Sequence, residues 1–299
     1  MRRGYVRASI AVIALLRSVV LLAVSPPPVD VKTRSPQADA GTRPGDVPFD
    51  LVQRHLIVVK GSAAELHDLN LLIDTGTIPS VLDRRIARKL RLTVEPSQVV
   101  AFGQTLRNDR ATLPDLHIGS YAVGTVPAAV GDLSYLQGTR IDVILGLDVL
   151  ARTTFSIDYS ARQLSFAPSA RESAVAPLRI VWPFVTVRLS VAGHPTQLLV
   201  DTGSPDLVLF KSRMVQALLP MPWKGEKVVQ HASGSARLLR FDLNNVIVGD
   251  EHWDKLSGFV LDASTEGYPP DVDGVLGVLA LGGTRVHFDF QRGELGWSR

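Results

Sequence analysis

Two stretches of the sequence repeat one pattern: LLIDTGTIPSVLD at residues 71–83 and LLVDTGSPDLVLF at residues 198–210. Each has an apolar run, then Asp-Thr-Gly, then a hydroxyl residue and further apolar residues. The acids, Asp74 and Asp201, lie 127 residues apart (201 − 74). An Asp at the end of an apolar strand is strongly desolvated, and the glycine after it permits a sharp turn. The pattern therefore predicts two equivalent strand-to-turn units, each carrying an acid.

Three further blocks repeat in the same order, which indicates that the chain contains a duplicated lobe. The string DVILG at residues 142–146 matches DGVLG at residues 273–277, at an offset of 131 (277 − 146). The same offset relates two later blocks to their counterparts, residues 154–159 to 285–290 and residues 163–166 to 294–297. Since the offset changes by only four residues (131 − 127), a small insertion separates the copies. The period is far too long for a solenoid.

The duplication sets the expected domain boundaries. We predict lobes over residues 49–167 and 178–299, joined by a linker at residues 168–177 of typical linker composition. Residues 26–48, rich in Pro, Gly, Ser, Thr and Asp, predict a disordered linker or short pro-segment. Residues 1–25 place arginines before two apolar blocks and predict a signal peptide, with an uncleaved membrane anchor as the alternative. The protein is therefore expected to be exported, to the periplasm or beyond, and the anchor alternative would tether it there.

The composition excludes several classes of function. The chain has no cysteine, which rules out disulfides, thiol nucleophiles and cysteine-ligated metals. The formal net charge of +3 comes from the N-terminal segment, and no Lys/Arg-rich run follows, so no nucleic-acid partner is predicted. The seven histidines lack the H-x-x-x-H spacing of helical ligands, so neither a metal nor another cofactor is predicted.

Both lobes are predicted to be mostly β. Short apolar or β-branched runs bounded by Gly, Pro, Asp or Asn predict strands, and many short strands with frequent turns favour barrels or sandwiches. One amphipathic helix is expected at residues 83–92, with Ile86 and Leu90 on its apolar face and residues 211–219 as its counterpart. The predicted strands include residues 56–59, 69–73, 155–159, 163–166, 184–190, 197–200, 246–248 and 286–290.

Duplicated lobes that pack about a pseudo-twofold axis bring equivalent residues together at that axis. Asp74 and Asp201 are therefore expected to face each other, with a common water within reach of both. Two carboxylates a few ångströms apart share one proton, so that one acts as a base and the other as an acid. Such a pair can hydrolyse an amide without a metal or a covalent intermediate. A single Asp-Thr-Gly, by contrast, is typical of an Asp that caps a turn.

The strings DTGT at residues 74–77 and DTGS at residues 201–204 resemble the active-site turns of the aspartic peptidases, pepsin-like and retroviral-like. The apolar-apolar-Gly strings that end at Gly146 and Gly277 resemble the motif that this family packs behind each turn. The resemblance covers nearly all of residues 50–299. It implies an all-β fold of two acid-protease-type β-barrel lobes about a pseudo-twofold axis, with short helices, and an aspartic endopeptidase acting on peptides or proteins. One chain is expected to suffice, because it contains both halves.

The resemblance also implies a role for each residue of the two turns. Asp74 and Asp201 are expected to be the catalytic pair, while Gly146 and Gly277 allow close packing beneath the turns. The implied supporting residues form equivalent pairs: Thr75 and Thr202 hydrogen-bond across the axis, Gly76 and Gly203 offer N–H groups to the carboxylates, and the hydroxyls of Thr77 and Ser204 hold the outer carboxylate oxygens.

The expected flap hairpins depart from the pepsin-like pattern, which places a tyrosine on one flap over the cleft. The candidates, residues 98–112 and 228–240, contain no tyrosine. The nearest aromatic residue in the first is Phe102, and the second has a Ser233-Gly234 turn. Two similar hairpins without a tyrosine, and the absence of pepsin-type disulfides, favour the retroviral-like side.

Two other functions stay open. A protein of this fold can bind peptides without turnover, although two intact Asp-Thr-Gly turns argue against a decayed site. Paired carboxylates also serve glycoside hydrolases, which need neither Thr-Gly after each acid nor the second motif. A peptide cleavage assay tests the first alternative, and an oligosaccharide assay tests the second.

Overall fold

A computed structural model describes residues 46–101, 104–136, 138–166, 172–181, 183–214, 224–231, 234–262, 265 and 268–299. The predicted leader and residues 26–45 of the predicted pro-segment lie outside this part of the chain. No helix within the described ranges combines the length and the apolar character needed to span a bilayer.

Strands dominate the structure, and its α-helices are short. The helices are α1 (Arg84–Lys89) and α2 (Leu147–Leu150). The strands are β1 (Val47–Val52), β2 (Leu56–Ala63), β3 (Leu66–Ile73), β4 (Val81–Asp83), β5 (Glu95–Ala101), β6 (Gln104–Ile118), β7 (Tyr121–Gly131), β8 (Val143–Leu145), β9 (Phe155–Asp158), β10 (Gln163–Ser165), β11 (Ala174–Val181), β12 (Phe184–Val191), β13 (His194–Asp201), β14 (Leu207–Phe210), β15 (Gly225–His231), β16 (Gly234–Val248), β17 (Glu251–Leu261), β18 (Gly274–Gly277), β19 (Arg285–Asp289) and β20 (Glu294–Ser298).

The two lobes share one strand plan. In the first lobe β3 pairs in parallel with β8, while β4 pairs with β8 antiparallel and with β7 in parallel. In the second lobe β13, β14, β17 and β18 repeat these pairings. The prediction of a mostly β chain with two homologous lobes is therefore confirmed. Closure of each lobe into a barrel stays a prediction.

The last part of the strand that leads into each Asp-Thr-Gly turn, residues 71–73 and 198–200, is buried on both faces, which explains why this part of the sequence is a continuous apolar run. The residue just before each buried run is held by an acid at equivalent positions of the two lobes. The Asn70 N–H donates to the Asp142 carboxylate at 2.8 Å, and the Gln197 N–H donates to the Asp273 carboxylate at 2.8 Å. These bonds hold each strand in one register just before the Asp of its Asp-Thr-Gly turn.

A six-stranded antiparallel sheet joins the lobes, in the order β1-β10-β9-β19-β20-β11. At its centre Phe155 pairs with Phe288 and Ser156 with His287. Because His287 is the repeat counterpart of Ser156 (287 − 156 = 131), their antiparallel pairing puts the pseudo-twofold axis between them. The rings of Phe155 and Phe288 stack beside the axis with centroids 4.7 Å apart.

The predicted helix is present but shorter than residues 83–92. Asp83 caps it, its carboxylate accepting from the Arg85 N–H at 2.9 Å, and the helix ends at Lys89, with Leu90 as the C-cap. Ile86 is buried as expected, and Leu90 is half-buried. In the second lobe Lys211–Arg213 forms a single 3-10 turn, and residues 215–219 lie outside the described part of the chain.

The predicted linkers partly belong to the sheet that joins the lobes. Residues 174–177 form the first half of β11, where Val175 pairs with Gly296 of β20. Residues 47–48 open β1 and pair with β10. Both segments hydrogen-bond to strands that would otherwise present unpaired N–H and C=O groups, which their turn-like composition does not reveal. Residues 168–171 lie outside the described residues.

Candidate active site

The two Asp-Thr-Gly turns meet at the interface of the lobes. The carboxyls of Asp74 and Asp201, 0% and 4% exposed, lie within hydrogen-bonding contact of each other. A Cβ added to Gly76 would lie 2.6 Å from the Asp201 Cγ, and one added to Gly203 would lie 3.0 Å from the Asp74 Cγ. Glycine at both positions is therefore what allows each carboxyl to approach the opposite turn.

Two threonines bind the turns together reciprocally. The Thr75 N–H donates to Thr202 Oγ1 at 3.0 Å, and the Thr202 N–H donates to Thr75 Oγ1 at 3.1 Å. Each hydroxyl then donates to a carbonyl of the opposite lobe: Thr75 to Val200 at 2.9 Å and Thr202 to Ile73 at 3.0 Å. These buried bonds lie where the sequence predicts them, and they fix the separation of the two acids.

The donors around the two carboxylates are only partly equivalent. The Gly76 N–H donates to Asp74 Oδ1 at 2.8 Å, and the Gly203 N–H donates to Asp201 Oδ1 at 2.7 Å. The Thr77 hydroxyl donates to Asp74 Oδ2 at 2.9 Å, as expected. Asp74 therefore has both a backbone and a hydroxyl donor.

The prediction for the Ser204 hydroxyl is wrong. This hydroxyl donates to the carbonyl of Asp206 at 3.3 Å and accepts from the Asp206 N–H at 3.5 Å, while Ser204 contacts Asp201 through its backbone. A Ser side chain readily forms such local bonds with the main chain two residues on. Residue Pro79 occupies the equivalent position of the first lobe and has no N–H to offer.

The electrostatics of the pair follow from burial and from this difference in donors. Burial raises the pKa of Asp74 to about 6, while the Thr77 hydroxyl and the Gly76 N–H oppose the increase. Burial and then the neighbouring charge of Asp74 raise the pKa of Asp201 well above its ordinary range. The shared proton is therefore held preferentially on Asp201, and Asp74 is the member stabilised as a carboxylate.

The glycines behind the turns lie against the turn backbone. A Cβ added to Gly146 would lie 2.4 Å from the Thr77 carbonyl oxygen, and one added to Gly277 would lie 2.2 Å from that of Ser204. The Leu147 N–H donates to the same Thr77 carbonyl at 2.8 Å. Any side chain at either glycine would displace the turn, which gives these residues a structural role.

One polar pair behind the first turn is absent from the sequence-based expectations. The N–H and the hydroxyl of Ser80 both donate to Asp148 Oδ1 at 2.8 Å, and the Gly146 N–H donates to Ser80 Oγ at 3.0 Å. Burial raises the pKa of Asp148. The counterpart positions hold Leu207 and Leu279. A position-by-position comparison of the repeats would have revealed this polar pair opposite two leucines.

Two hairpins of equal length stand at the predicted flap positions. β5 pairs with β6 from Glu95–Arg110 to Ala101–Gln104, and β15 pairs with β16 from Gly225–Arg240 to His231–Gly234. Phe102 and Ser233 lie outside the described residues. The structural similarity of the hairpins agrees with the symmetry expected from the sequence.

Among the described residues, no three His, Cys, Asp or Glu side chains are grouped so as to hold a metal ion. At the meeting point of the turns the polar groups are two carboxyls and the donors of the turns themselves. This set suits the sharing of a proton between acids.

A family model described as "Aspartyl protease" matches the chain twice, over residues 59–149 and 187–279. The two matches together span more than half of the chain, and each contains one Asp-Thr-Gly turn and the glycine packed behind it. No curated protein matches the chain.

Proposed function

Since the chain belongs to the aspartyl protease family, we propose that it is an endopeptidase that hydrolyses peptide bonds with a water activated between Asp74 and Asp201. One observation carries this proposal: two buried carboxyls on equivalent turns of the two lobes contact each other, burial raises the pKa of both, and the charge of Asp74 raises the pKa of Asp201 further. Such a pair provides a base and an acid at the same pH.

The proposed roles follow from the donors around each acid. Asp74, held as a carboxylate by Thr77 and Gly76, accepts a proton from the water while the water oxygen attacks the amide carbon. Asp201 donates its proton to the carbonyl oxygen, which gives a tetrahedral diol. In the second step the C–N bond breaks as Asp74 passes its proton to the leaving nitrogen and Asp201 takes a proton back from one diol hydroxyl, so that a carboxylic acid and an amine are released. All protons remain accounted for within the pair.

We further propose that one chain suffices for activity, because each lobe supplies one of the two acids. The substrate is a peptide or protein segment that lies over the turns, beneath the β5–β6 and β15–β16 hairpins. Export by the N-terminal segment stays part of the proposal and rests on the sequence alone. Detection of the protein in the periplasmic or extracellular fraction tests it, whereas retention in the cytoplasm contradicts it.

The test is a peptide-library digestion by the full chain from acidic to neutral pH, with Asp74→Asn and Asp201→Asn as matched controls. We expect cleavage by the wild type, inhibition by a statine-type transition-state analogue, and loss of cleavage in both variants. Activity should be proportional to protein concentration, as for a monomer. Tight binding of peptides without any cleavage would instead indicate the non-catalytic alternative, and cleavage of oligosaccharides would indicate a glycoside hydrolase.

A further inference from the structure

Lys227 joins three elements of the second lobe. It lies on β15, and its ammonium group bonds to the Asp206 carboxylate, just after the Asp-Thr-Gly turn. It also lies over the ring of Phe259 on β17, 3.9 Å from the centroid. The Lys227 and Asp206 side chains are only 18% and 22% exposed. A partly desolvated ion pair against an aromatic face is stronger than an exposed one.

Asp206 is bonded directly to the structure that supports Asp201. Its carbonyl accepts the Gly277 N–H at 2.8 Å and the Ser204 hydroxyl at 3.3 Å. Gly277 is the strand partner of Asp201 in the β13–β18 ladder. A displacement of Asp206 is therefore transmitted to the backbone on both sides of the second acid.

The first lobe has no equivalent of this ion pair. The offset of 127 places Pro79 opposite Asp206. The hairpin registers differ by 130, since Glu95 pairs with Arg110 and Gly225 with Arg240, and this places Ser97 opposite Lys227. Proline and serine cannot form an ion pair. This ion-pair link between hairpin and turn therefore has no counterpart at the equivalent positions of the first lobe, Pro79 and Ser97.

We propose that Lys227 is a positioning residue that couples the β15–β16 hairpin to the turn bearing Asp201, and so orients the substrate on the second-lobe side of the site. This inference rests on the proposed peptidase function. Asp206 provides the anchor, and Phe259 fixes the path of the lysine side chain between the two elements.

The kinetic test compares Lys227→Met with two matched variants. Lys227→Arg keeps the charge, and Glu226→Gln removes the neighbouring pair with Arg237, which spans 3.2 Å with side chains 53% and 67% exposed. Because the two acids are unchanged, we expect Lys227→Met to raise KM about tenfold with kcat changed less than about twofold, the size of coupling found between contacting residues. Lys227→Arg should keep KM close to the wild-type value because it keeps the charge, and Glu226→Gln should leave KM unchanged.

A second readout does not depend on activity. Amide hydrogen exchange in residues 225–231 and 234–240 should accelerate about tenfold in Lys227→Met, while the β5–β6 hairpin keeps its wild-type rates. Unchanged exchange, equal acceleration in both hairpins, or an equal effect of Glu226→Gln would overturn the proposal. A wild type that cleaves no peptide would refute the peptidase function, and the exchange comparison would still decide whether Lys227 couples hairpin and turn.

Discussion

The two Asp-Thr-Gly turns are alike at the axis and different away from it. Thr75 and Thr202 exchange equivalent bonds, and Gly76 and Gly203 each lie against the acid of the opposite turn. Behind the axis the first lobe has a partly buried polar pair, whereas the second lobe has leucines and an ion pair to its hairpin. A residue at the axis contacts its own counterpart, so a change there alters both halves of one contact. Residues away from the axis are free to diverge.

The largest expected effect tests the equivalence of the acids. Asp74→Asn and Asp201→Asn should each reduce kcat/KM by at least about 10³-fold, or about 4 kcal/mol, because each removes one partner of the acid–base pair. Peptide cleavage at the wild-type optimum measures this, and circular dichroism shows whether the fold is retained. A variant that keeps a tenth of the wild-type activity would show that the two acids do not act as an obligatory pair.

The reciprocal threonine bonds predict equal losses of stability. Thr75→Val and Thr202→Val each leave a buried N–H and a buried carbonyl of the opposite lobe unpaired, at about 2–4 kcal/mol in total. Urea denaturation should give values for the two variants that agree within about 1 kcal/mol, consistent with the symmetry of the contact. Thr→Ser at either position keeps the hydroxyl and is the control. Clearly unequal losses of stability would show that the two threonines, although their hydrogen bonds are equivalent, do not contribute equally to the free energy of unfolding.

The raised pKa of Asp74 predicts how stability depends on pH. Its ordinary pKa is 3.8 and its folded value is about 6, so the folded state binds the proton more tightly and loses stability as pH rises from about 4 to about 6. Asp74→Asn should therefore gain stability relative to the wild type across this window, by on the order of 1–3 kcal/mol. Denaturation at several pH values measures the difference. Asp254→Asn, at a fully solvated position (99% exposed), is the control, and parallel curves for Asp74→Asn and the wild type would contradict the prediction.

The smallest effect concerns the hydroxyls that differ between the turns. Thr77→Val removes a donor to the Asp74 carboxylate, so the acid limb of the kcat/KM profile should move to higher pH by about one unit. Ser204→Ala should leave the limb in place, because its hydroxyl bonds to Asp206. Equal shifts in both variants would remove the proposed assignment of Asp74 as the base.

Repeats and motifs carried most of the successful predictions. The duplication and the meeting of Asp74 with Asp201 were predicted from residues that recur at a fixed offset, the mostly β lobes from short apolar runs between turn residues, and the threonine bonds from the resemblance to aspartic peptidases. The role that the resemblance implied for the Ser204 hydroxyl was wrong, because this hydroxyl bonds to Asp206, whose position in the first lobe is held by Pro79. The strands within the predicted linkers were missed because their pairing partners lie at the far end of each lobe.

The sequence by itself determined that two equivalent acids end two buried strands, since an apolar run followed by Asp-Thr-Gly specifies both strand and turn locally. Only the tertiary structure decided which acid keeps the proton and which hairpin is anchored. Both depend on contacts such as those of Thr77 with Asp74 and of Lys227 with Asp206. Each contact depends on the direction of a side chain and on local burial, which a sequence repeat does not encode.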